Sequence, residues 1–504
     1  MLDTELRGVP VVVMSNREPW VHERGNDGVV RARQPIGGLV TALEPVVRAC
    51  RGLWVAHGSG SGDRATSDQR GRVRVPEDAS DGERYTLRRV WLSDAEYKGY
   101  YEGYANEGLW PLCHVAHERP VFRSDDYAAW LRVNERFADA VAAEARRDDP
   151  VVLVQDYHLA MAPRFLRERL PKATIVSFWH IPWPNAERYA INPWSGEVLE
   201  GLLASDVVGF HTQGHCNHFL AGVSALLEAR VDHEDSSVVM HGHRTRVRPW
   251  PISIAWPDAI AAVSPPPREC RRALLDRYGL PDDAVVGVGV DRLDYTKGIE
   301  ERLLAVERML EQHSGLRGRF YFVQVAAPSR TNLPAYRALT ERVETLAAAI
   351  NERFGEGGVG PVILVREAMG PRAVYELYRA ADLCYVSSLH DGMNLVAKEF
   401  VAARDDLRGV LVLSRFTGAA RELGAALVVN PYHIDEAAHA LLTAVEMPAH
   451  DQAARMTEMR RVVSEENVWR WAGRMLTEAA RVRREKRIAP PGELARVPAP
   501  KGDA

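Results

Sequence analysis

Eleven short, predominantly apolar runs, rich in Val, Ile and Leu, recur along this chain. They fall at 11–14, 53–56, 151–154, 174–178 and 207–210, then at 285–290, 320–325, 362–365, 383–386, 410–413 and 426–429. A strand with one wet face alternates apolar and polar residues, whereas a continuously apolar strand has to be covered on both faces. The intervals carry helical periodicity. Trp130, Leu131, Val133, Phe137 and Val141 follow a 3.6-residue repeat across 126–145, and Leu303, Leu304, Val306, Met309 and Leu310 do so across 300–313. Strands and helices alternating in this way predict an α/β fold with parallel sheets covered on both sides. With 504 residues, 46% of them apolar, the chain can bury more than one such core.

The composition shifts at 256–268, WPDAIAAVSPPPR, where three consecutive prolines interrupt regular structure. The expected division is therefore a first domain over 1–258 and a second over 259–486. A Pro- and Gly-rich tail, 487–504, is expected to be flexible. The stretch 58–84, rich in Gly, Asp and Arg, carries no motif and is expected to be a loop excursion.

Several functional classes are disfavoured. Lys plus Arg is 64 against 68 Asp plus Glu, a net charge of −4, so no basic excess exists to neutralise a nucleic-acid backbone. The five cysteines are scattered and form no CxxC pair, as expected of reduced cytoplasmic thiols. The N-terminus has no basic region followed by an apolar stretch, and no run approaches eighteen apolar residues, so neither a secretory signal nor a membrane span is expected. There is no GxxxxGK[ST], no HExxH and no pair of aspartates two apart. One GxGxxG, from Gly355 to Gly360, follows a helical stretch and precedes the run at 362–365. A dinucleotide fingerprint needs the reverse order, so this is expected to be a helix-to-strand loop.

Ligands of parallel sheets bind beyond the carboxyl ends of the strands. The residues that follow the apolar runs are accordingly informative. They are Ser15-Asn16-Arg17, Gln155-Asp156-Tyr157-His158, His180-Ile181-Pro182, Asp291-Arg292 through Lys297-Gly298, Pro328-Ser329-Arg330, and His390-Asp391-Gly392-Met393-Asn394. Arg292 and Lys297, five apart on one loop, can clamp a diphosphate, although a solvated basic pair has the same spacing. Asn394 opens an amphipathic helix after a Gly-containing loop, and free N–H groups at such an end attract phosphate. Glu399 then sits about one turn in, where it can accept sugar hydroxyls or be an ordinary helical Glu. Asp156 and His180 close successive strands, and Pro182 and Pro184 fix the backbone after His180. A metal-independent sugar transferase needs this set of Arg, Lys and helix N–H groups to neutralise a leaving diphosphate.

Taken in order, Ser15-Asn16-Arg17, Gly37-Gly38-Leu39, Asn106 to Pro111 (NEGLWP), Gln155 to Leu159 (QDYHL), His180 to Pro184 (HIPWP), Arg292 to Gly298 (RLDYTKG) and Asp391 to Glu399 (DGMNLVAKE) resemble glycosyltransferase family 20 over about residues 9–480. The resemblance implies two Rossmann-like domains whose parallel sheets face a central cleft, the GT-B arrangement, with the last helices crossing back to the first domain. It implies a retaining, metal-independent glucosyl transfer from a nucleotide diphosphate glucose, UDP- or GDP-glucose, to glucose 6-phosphate, giving trehalose 6-phosphate. No cofactor is implied, the nucleotide sugar being a substrate. The implied partners are small-molecule substrates, with neither nucleic acid nor membrane and with a homo-oligomer possible.

By the same resemblance Arg292 and Lys297 bind the diphosphate, with the N–H groups of Leu395 and Val396. Glu399 holds the ribose. Asp391 and the Gly392, Met393 and Asn394 backbone surround the donor glucose, His180 lies at the reacting centre, Gly38 belongs to a loop over the donor, and Met369 meets the base. His180, Asp391, Arg292 and Lys297 form the implied catalytic set. Arg17, Tyr101, Asp156 and Arg330 are the implied acceptor residues. Many members have an aromatic residue where this chain has His57, which leaves a glycerol 3-phosphate acceptor open as the alternative. Arg330 favours glucose 6-phosphate. A non-catalytic sugar-phosphate sensor is the remote alternative.

Overall fold

The structure is a computed structural model that describes residues 8–34, 38–80, 82–330, 332–355 and 358–488. The chain forms two compact units. One runs to Pro251 and takes back the chain from Trp469 onward; the other is Ile252–Val468. The division thus falls a little before the expected 258/259, and the helix Val468–Ile488 packs with the first unit, the return that the resemblance implies. The proline triplet does not form an extended linker. Helix Ala259–Val263 precedes it, Pro266 caps the next helix and Pro267 is the first residue of that helix, Pro267–Tyr278, where a missing N–H costs nothing.

In the first unit the strands are β1 (Val11–Arg17), β2 (Val21–Arg24), β3 (Val30–Arg33), β4 (Leu53–His57), β5 (Arg72–Val75) and β6 (Tyr85–Val90). They continue with β7 (Val151–Gln155), β8 (Thr174–Phe178), β9 (Val207–Phe210), β10 (Arg230–Asp232), β11 (Ser237–Met240) and β12 (His243–Pro249). Ten of them form one sheet in the order β10-β11-β12-β9-β8-β7-β1-β4-β6-β5, and β2 and β3 form a separate hairpin. From β12 to β6 the pairing is parallel, and the two edges are closed by antiparallel strands. β1 pairs β4 on one side and β7 on the other, so the strand order reverses between β1 and β7.

The second unit has β13 (Val285–Arg292), β14 (Phe320–Ala327), β15 (Val362–Val365), β16 (Leu383–Val386), β17 (Val410–Ser414) and β18 (Leu427–Val429). They form an all-parallel sheet in the order β15-β14-β13-β16-β17-β18. This is the doubly wound order, with its reversal between β13 and β16. Leu303, Met309 and Leu310 from helix Ile299–Gln312, and Leu339, Val343 and Ile350 from helix Pro334–Phe354, bury against Phe320 and Phe322. Burial on this scale, roughly 1.5–3 kcal/mol per large side chain, is what holds such helices on the sheet.

All eleven apolar runs coincide with strands, the last starting one residue ahead of β18. The strands without an apolar run are short or charged edge and near-edge strands: β6 carries Arg88 and Arg89, and β12 carries Arg244, Arg246 and Arg248. The GxGxxG also falls as expected. Helix Pro334–Phe354 ends just before Gly355 and β15 follows; positions 356 and 357 lie outside the described residues.

Residues 58–84 are not a loop excursion. They contain helix Asp63–Thr66 and β5, and they are fastened from within by Arg89. That guanidinium is fully buried. It bonds Glu18 at 2.8 Å, Asp63 at 2.8 Å and the Trp20 carbonyl at 3.1 Å. Glu18 in turn accepts from the Ser59 N–H, and Asp63 accepts from the His22 and Gly60 N–H groups. Burial, reinforced by the neighbouring Asp63, lifts the Glu18 carboxyl to about 7. The polar composition that suggested a solvated loop instead builds an internal network, which locks the segment after β1 to the segment after β4.

Candidate active site

In both units the core of the predicted site lies where the strand order reverses, with Arg330 and Met369 on the loops after β14 and β15 to one side of it. A reversal is where a parallel sheet parts its loops into a crevice.

In the second unit the loops after β13 and β16 flank the reversal. Lys297 reaches Asp391 Oδ2 at 2.5 Å, and the same oxygen accepts from Ser388 Oγ at 3.2 Å and Asn394 Nδ2 at 3.2 Å. Burial depresses the Lys297 ammonium, but the charges of Asp391, Asp291 and Asp294 outweigh it and raise its pKa, so it stays cationic. Arg292 is half-buried and makes no hydrogen bond or ion pair among the described residues, so its fork is available to a ligand. Asn394 caps helix Leu395–Ala403, its side chain accepting from the Ala397 N–H at 3.1 Å. The cap leaves the N–H groups of Leu395 and Val396 at the helix end, ahead of the first intrahelical bond. Asn394 itself has φ 80° and ψ 97°. A non-glycine side chain in that region is strained, and such strain concentrates at functional sites.

The backbone around Asp391–Met393 is pinned from below. Asp391 N–H donates to the Phe416 carbonyl at 3.0 Å and Ala419 N–H to the Met393 carbonyl at 2.8 Å. Glu399 lies one turn into the helix, half-buried, 3.4 Å from the Tyr378 hydroxyl. Burial and the nearby Asp258 charge lift its carboxyl to about 7. Met369 sits half-buried in the loop after β15.

Arg330 is placed differently from an open phosphate ligand. Its side chain is largely buried, Nη1 lies 3.0 Å from Asp294 Oδ2, and it also approaches the Tyr336 hydroxyl. Arg330 has φ 47°, in the left-handed region. Burial would raise the Asp294 carboxyl, but the Arg330 charge and its neighbours hold it below the usual range. Arg330 is thus a preorganised, partly neutralised guanidinium in the second unit, whereas Arg17, Tyr101 and Asp156 belong to the first.

In the first unit Asp156 follows β7 with φ 76° and ψ 163°, a region otherwise almost reserved for glycine. The strained turn aims its carboxylate at the Tyr157 N–H (2.9 Å) and the His180 N–H (3.2 Å), with His158 Nδ1 at 3.6 Å. Burial opposes ionisation, yet the neighbouring His158 and His180 rings and the Tyr157 N–H hold the carboxyl at about 2. The His180 ring faces Gln155 Oε1 at 3.0 Å and its carbonyl meets the His211 ring at 3.0 Å. Burial lowers the His180 pKa, only partly offset by Asp156, so the imidazole is neutral at pH 7.

Tyr101 lies in a π-helix, Lys98–Leu109, a rare geometry that recurs at functional sites. Its ring stacks on His158 at 5.4 Å and on Tyr97 at 5.0 Å, and Tyr97 stacks on His57 at 5.5 Å. Burial pushes His57 down to about 4, so it contributes a neutral ring at the end of this stack. Arg17 is exposed at the end of β1, paired in register with His57, and its guanidinium makes no hydrogen bond or ion pair among the described residues. Gly38 opens helix Gly38–Ala49; its predicted companion Gly37 lies outside the described residues.

Sequence reasoning passed over Arg302. It is fully buried and ties the two reversal loops together, bonding Asp291 at 2.6 Å, Gln324 at 2.9 Å and Ser387 Oγ at 2.9 Å. Ser387 Oγ then donates to the Gly298 carbonyl at 2.6 Å. A charged residue on the buried stripe of a helix was the available signal, since such a charge is tolerated only when paired.

The family model for glycosyltransferase family 20 matches residues 10–481. The trehalose-6-phosphate synthase of Mycolicibacterium vanbaalenii is 38% identical over 491 residues, covering 94% of this chain and 96% of its own. The trehalose-6-phosphate protein of E. coli bound with UDP-2-fluoro glucose superposes with a TM-score of 0.83 at 31% identity, covering 94% of this chain and 99% of that one. An alpha,alpha-trehalose-phosphate synthase (UDP-forming) of Burkholderia xenovorans in complex with glucose-6-phosphate gives a TM-score of 0.80 at 32% identity, covering 93% and 99%. With its two doubly wound units and the polar groups gathered at both strand-order reversals, the chain belongs to glycosyltransferase family 20.

Proposed function

We propose that this glycosyltransferase makes trehalose 6-phosphate by moving glucose from UDP- or GDP-glucose to glucose 6-phosphate, with retention at the anomeric carbon and without a metal or cofactor. The observation that carries this reading is the second-unit array, in which Arg292 ends β13, Lys297 lies in the turn after it, and the helix end at Leu395 and Val396 follows β16, the neighbouring strand across the reversal. A guanidinium, an ammonium and two N–H groups match the charge that develops on a departing nucleoside diphosphate. Glu399 is suited to ribose hydroxyls. Asp391 has one oxygen tied by three donors, which suits a post for the glucose hydroxyls better than a nucleophile. In the first unit Arg17 offers an open guanidinium for the acceptor phosphate, Tyr101 a hydroxyl for the same group, and Asp156 the carboxylate for acceptor hydroxyls.

The chemistry is a front-face substitution. The bond from the glucose C1 to the β-phosphate oxygen breaks, C1 bonds the acceptor hydroxyl oxygen on the same face, and the acceptor proton passes to the leaving phosphate oxygen. His180, neutral and oriented by Gln155, supplies a hydrogen-bonding group at the sugar without carrying charge. Incubating UDP- and GDP-glucose with glucose 6-phosphate and, separately, with glycerol 3-phosphate tests the reading. Mass identifies the product and proton NMR its anomeric coupling. An α,α-linked disaccharide phosphate is expected; a glycerol product alone, or a trapped covalent glycosyl-enzyme, would overturn it.

A further inference from the structure

The loop that carries Arg292 and Lys297 is clasped at both ends by one buried side chain. It leaves β13 at Asp291-Arg292 and closes at Gly298, whose carbonyl accepts the Arg302 N–H at 3.0 Å as helix Ile299–Gln312 begins. The Arg302 guanidinium reaches the carboxyl ends of three adjacent strands, β14, β13 and β16. Its Nη2 holds Asp291 Oδ2 at 2.6 Å, at the start of the loop, and its Nη1 donates to Gln324 Oε1 at 2.9 Å. Its Nε donates to Ser387 Oγ at 2.9 Å. A guanidinium can only donate. The Ser387 hydroxyl therefore accepts from it and keeps its one proton for the far end of the loop, where the Gly298 carbonyl lies at 2.6 Å and the Lys297 carbonyl at 3.0 Å. β13 makes room for this: a Cβ at Gly289 would run into Arg302 Nη1 and Cδ and into Gln324 Oε1. The residue after Ser387, Ser388, bonds the same Asp391 oxygen that Lys297 reaches.

A buried ion pair adds little net stability over apolar packing of the same volume. What this one does fix is the span of the loop from Asp291 to Gly298, and with it the separation of the Arg292 and Lys297 backbones. We propose that Arg302 is a positioning residue for the donor diphosphate, acting through Asp291 on Arg292 and through Ser387 on Lys297, without meeting the ligand itself. This role rests on the reading of those two cations as the diphosphate clamp.

Titration calorimetry of the full-length protein with UDP, and separately with GDP, reads the clamp without turnover. Arg302→Lys keeps a cation beside Asp291 but loses the fork, and should weaken nucleotide binding about tenfold. Ser387→Ala leaves the Arg302–Asp291 pair in place and cuts only the arm to Lys297 and Gly298. It should keep a Tm near that of the wild type and weaken binding about fivefold, with the KM for glucose 6-phosphate unchanged. In a Lys297→Ala background the same change should cost less than about twofold, because residues that act through one another are not additive. A folded protein of either kind with wild-type affinity would overturn the proposal and leave the clamp standing. So would an equal loss with and without Lys297, the mark of a merely structural role. A wild type that binds neither nucleotide, or binding that Lys297→Ala leaves unaltered, would remove the clamp and this role with it.

Discussion

At the residue scale, the two open arginines and one carboxylate are the most exposed to test. Arg292 offers its fork at a reversal point already tied together by Lys297 and Asp391. Replacing it, Arg292→Ala, should cost about 2–4 kcal/mol of transition-state stabilisation, as expected for loss of a preorganised charge donor. The measurement is kcat/KM with the glucose nucleotide, and near-normal turnover would remove Arg292 from the clamp. Glu399 gives a pH prediction. Its carboxyl sits at about 7, raised by burial and the Asp258 charge. It accepts sugar hydroxyls best when ionised, so the donor KM should rise as pH falls below 7. Asp258→Asn removes the repelling charge while Oδ1 can still cap Ile260 and Ala261, and should move that inflection to lower pH. An inflection that stays in place would assign the titration to another group.

Residue types at the site were legible in the sequence because strand ends in a parallel sheet leave few places for ligands. Their states were not. Arg330 and Arg17 look alike as guanidiniums following strands, yet one is paired with Asp294 inside the second unit and the other is open to solvent. Pairing depends on what a distant segment brings alongside, and spacing carries no information about it.

At the element scale, the loops at the reversal points are held by backbone constraints. Gly298 has φ 61°, and a Cβ there would lie 2.3 Å from the Ser387 carbonyl oxygen. Gly298→Ala therefore meets both a left-handed backbone and a backbone clash, and strain of this kind costs on the order of 1–3 kcal/mol or more. The expected outcome is a lowered Tm together with a raised donor KM, because Lys297 is the adjacent residue. A variant with wild-type donor KM would show that the loop's position does not matter to binding. Elements with continuous apolar runs were readable from their composition. β6 and β12 were not, because their arginines look solvated until Arg89 is seen between Glu18 and Asp63. The π-helix at Tyr101 was invisible too, since its hydrophobic periodicity is weak and its geometry comes from packing.

At the scale of the whole molecule, the first unit is completed by a helix from the far end of the chain. Trp471, Met475, Leu476 and Ala479 of helix Val468–Ile488 are buried. Lys486 reaches Asp206 at 2.6 Å, and Arg246 reaches Glu485 at 2.6 Å. Asp206 also accepts from Arg167 at 2.9 Å and from the Ile175 N–H at 2.8 Å. Burial alone would raise this carboxyl, but the Arg167 and Lys486 charges hold it far below its ordinary value. A carboxylate depressed in the folded state stabilises fully above its unfolded pKa and loses that contribution as pH falls through the acid range. Asp206→Asn should thus lower stability at pH 7 by about 3–5 kcal/mol, as for breaking one member of a buried ion pair. It should also flatten the fall in Tm between pH about 4 and pH about 2, because an amide has no proton to gain. An unaltered acid limb in the variant would assign that loss to other carboxylates.

By itself the sequence determined the α/β class, the positions of the strands with apolar runs and the ends of those strands at which chemistry collects, because apolar runs and periodicity report burial locally. Only the tertiary structure decided which strands adjoin, that the Gly- and Asp-rich stretch is an internal network, which contacts hold the last helix on the first unit, and which arginines are paired. Each of these rests on contacts between segments tens to hundreds of residues apart, where pairing and desolvation depend on neighbours that no local pattern specifies.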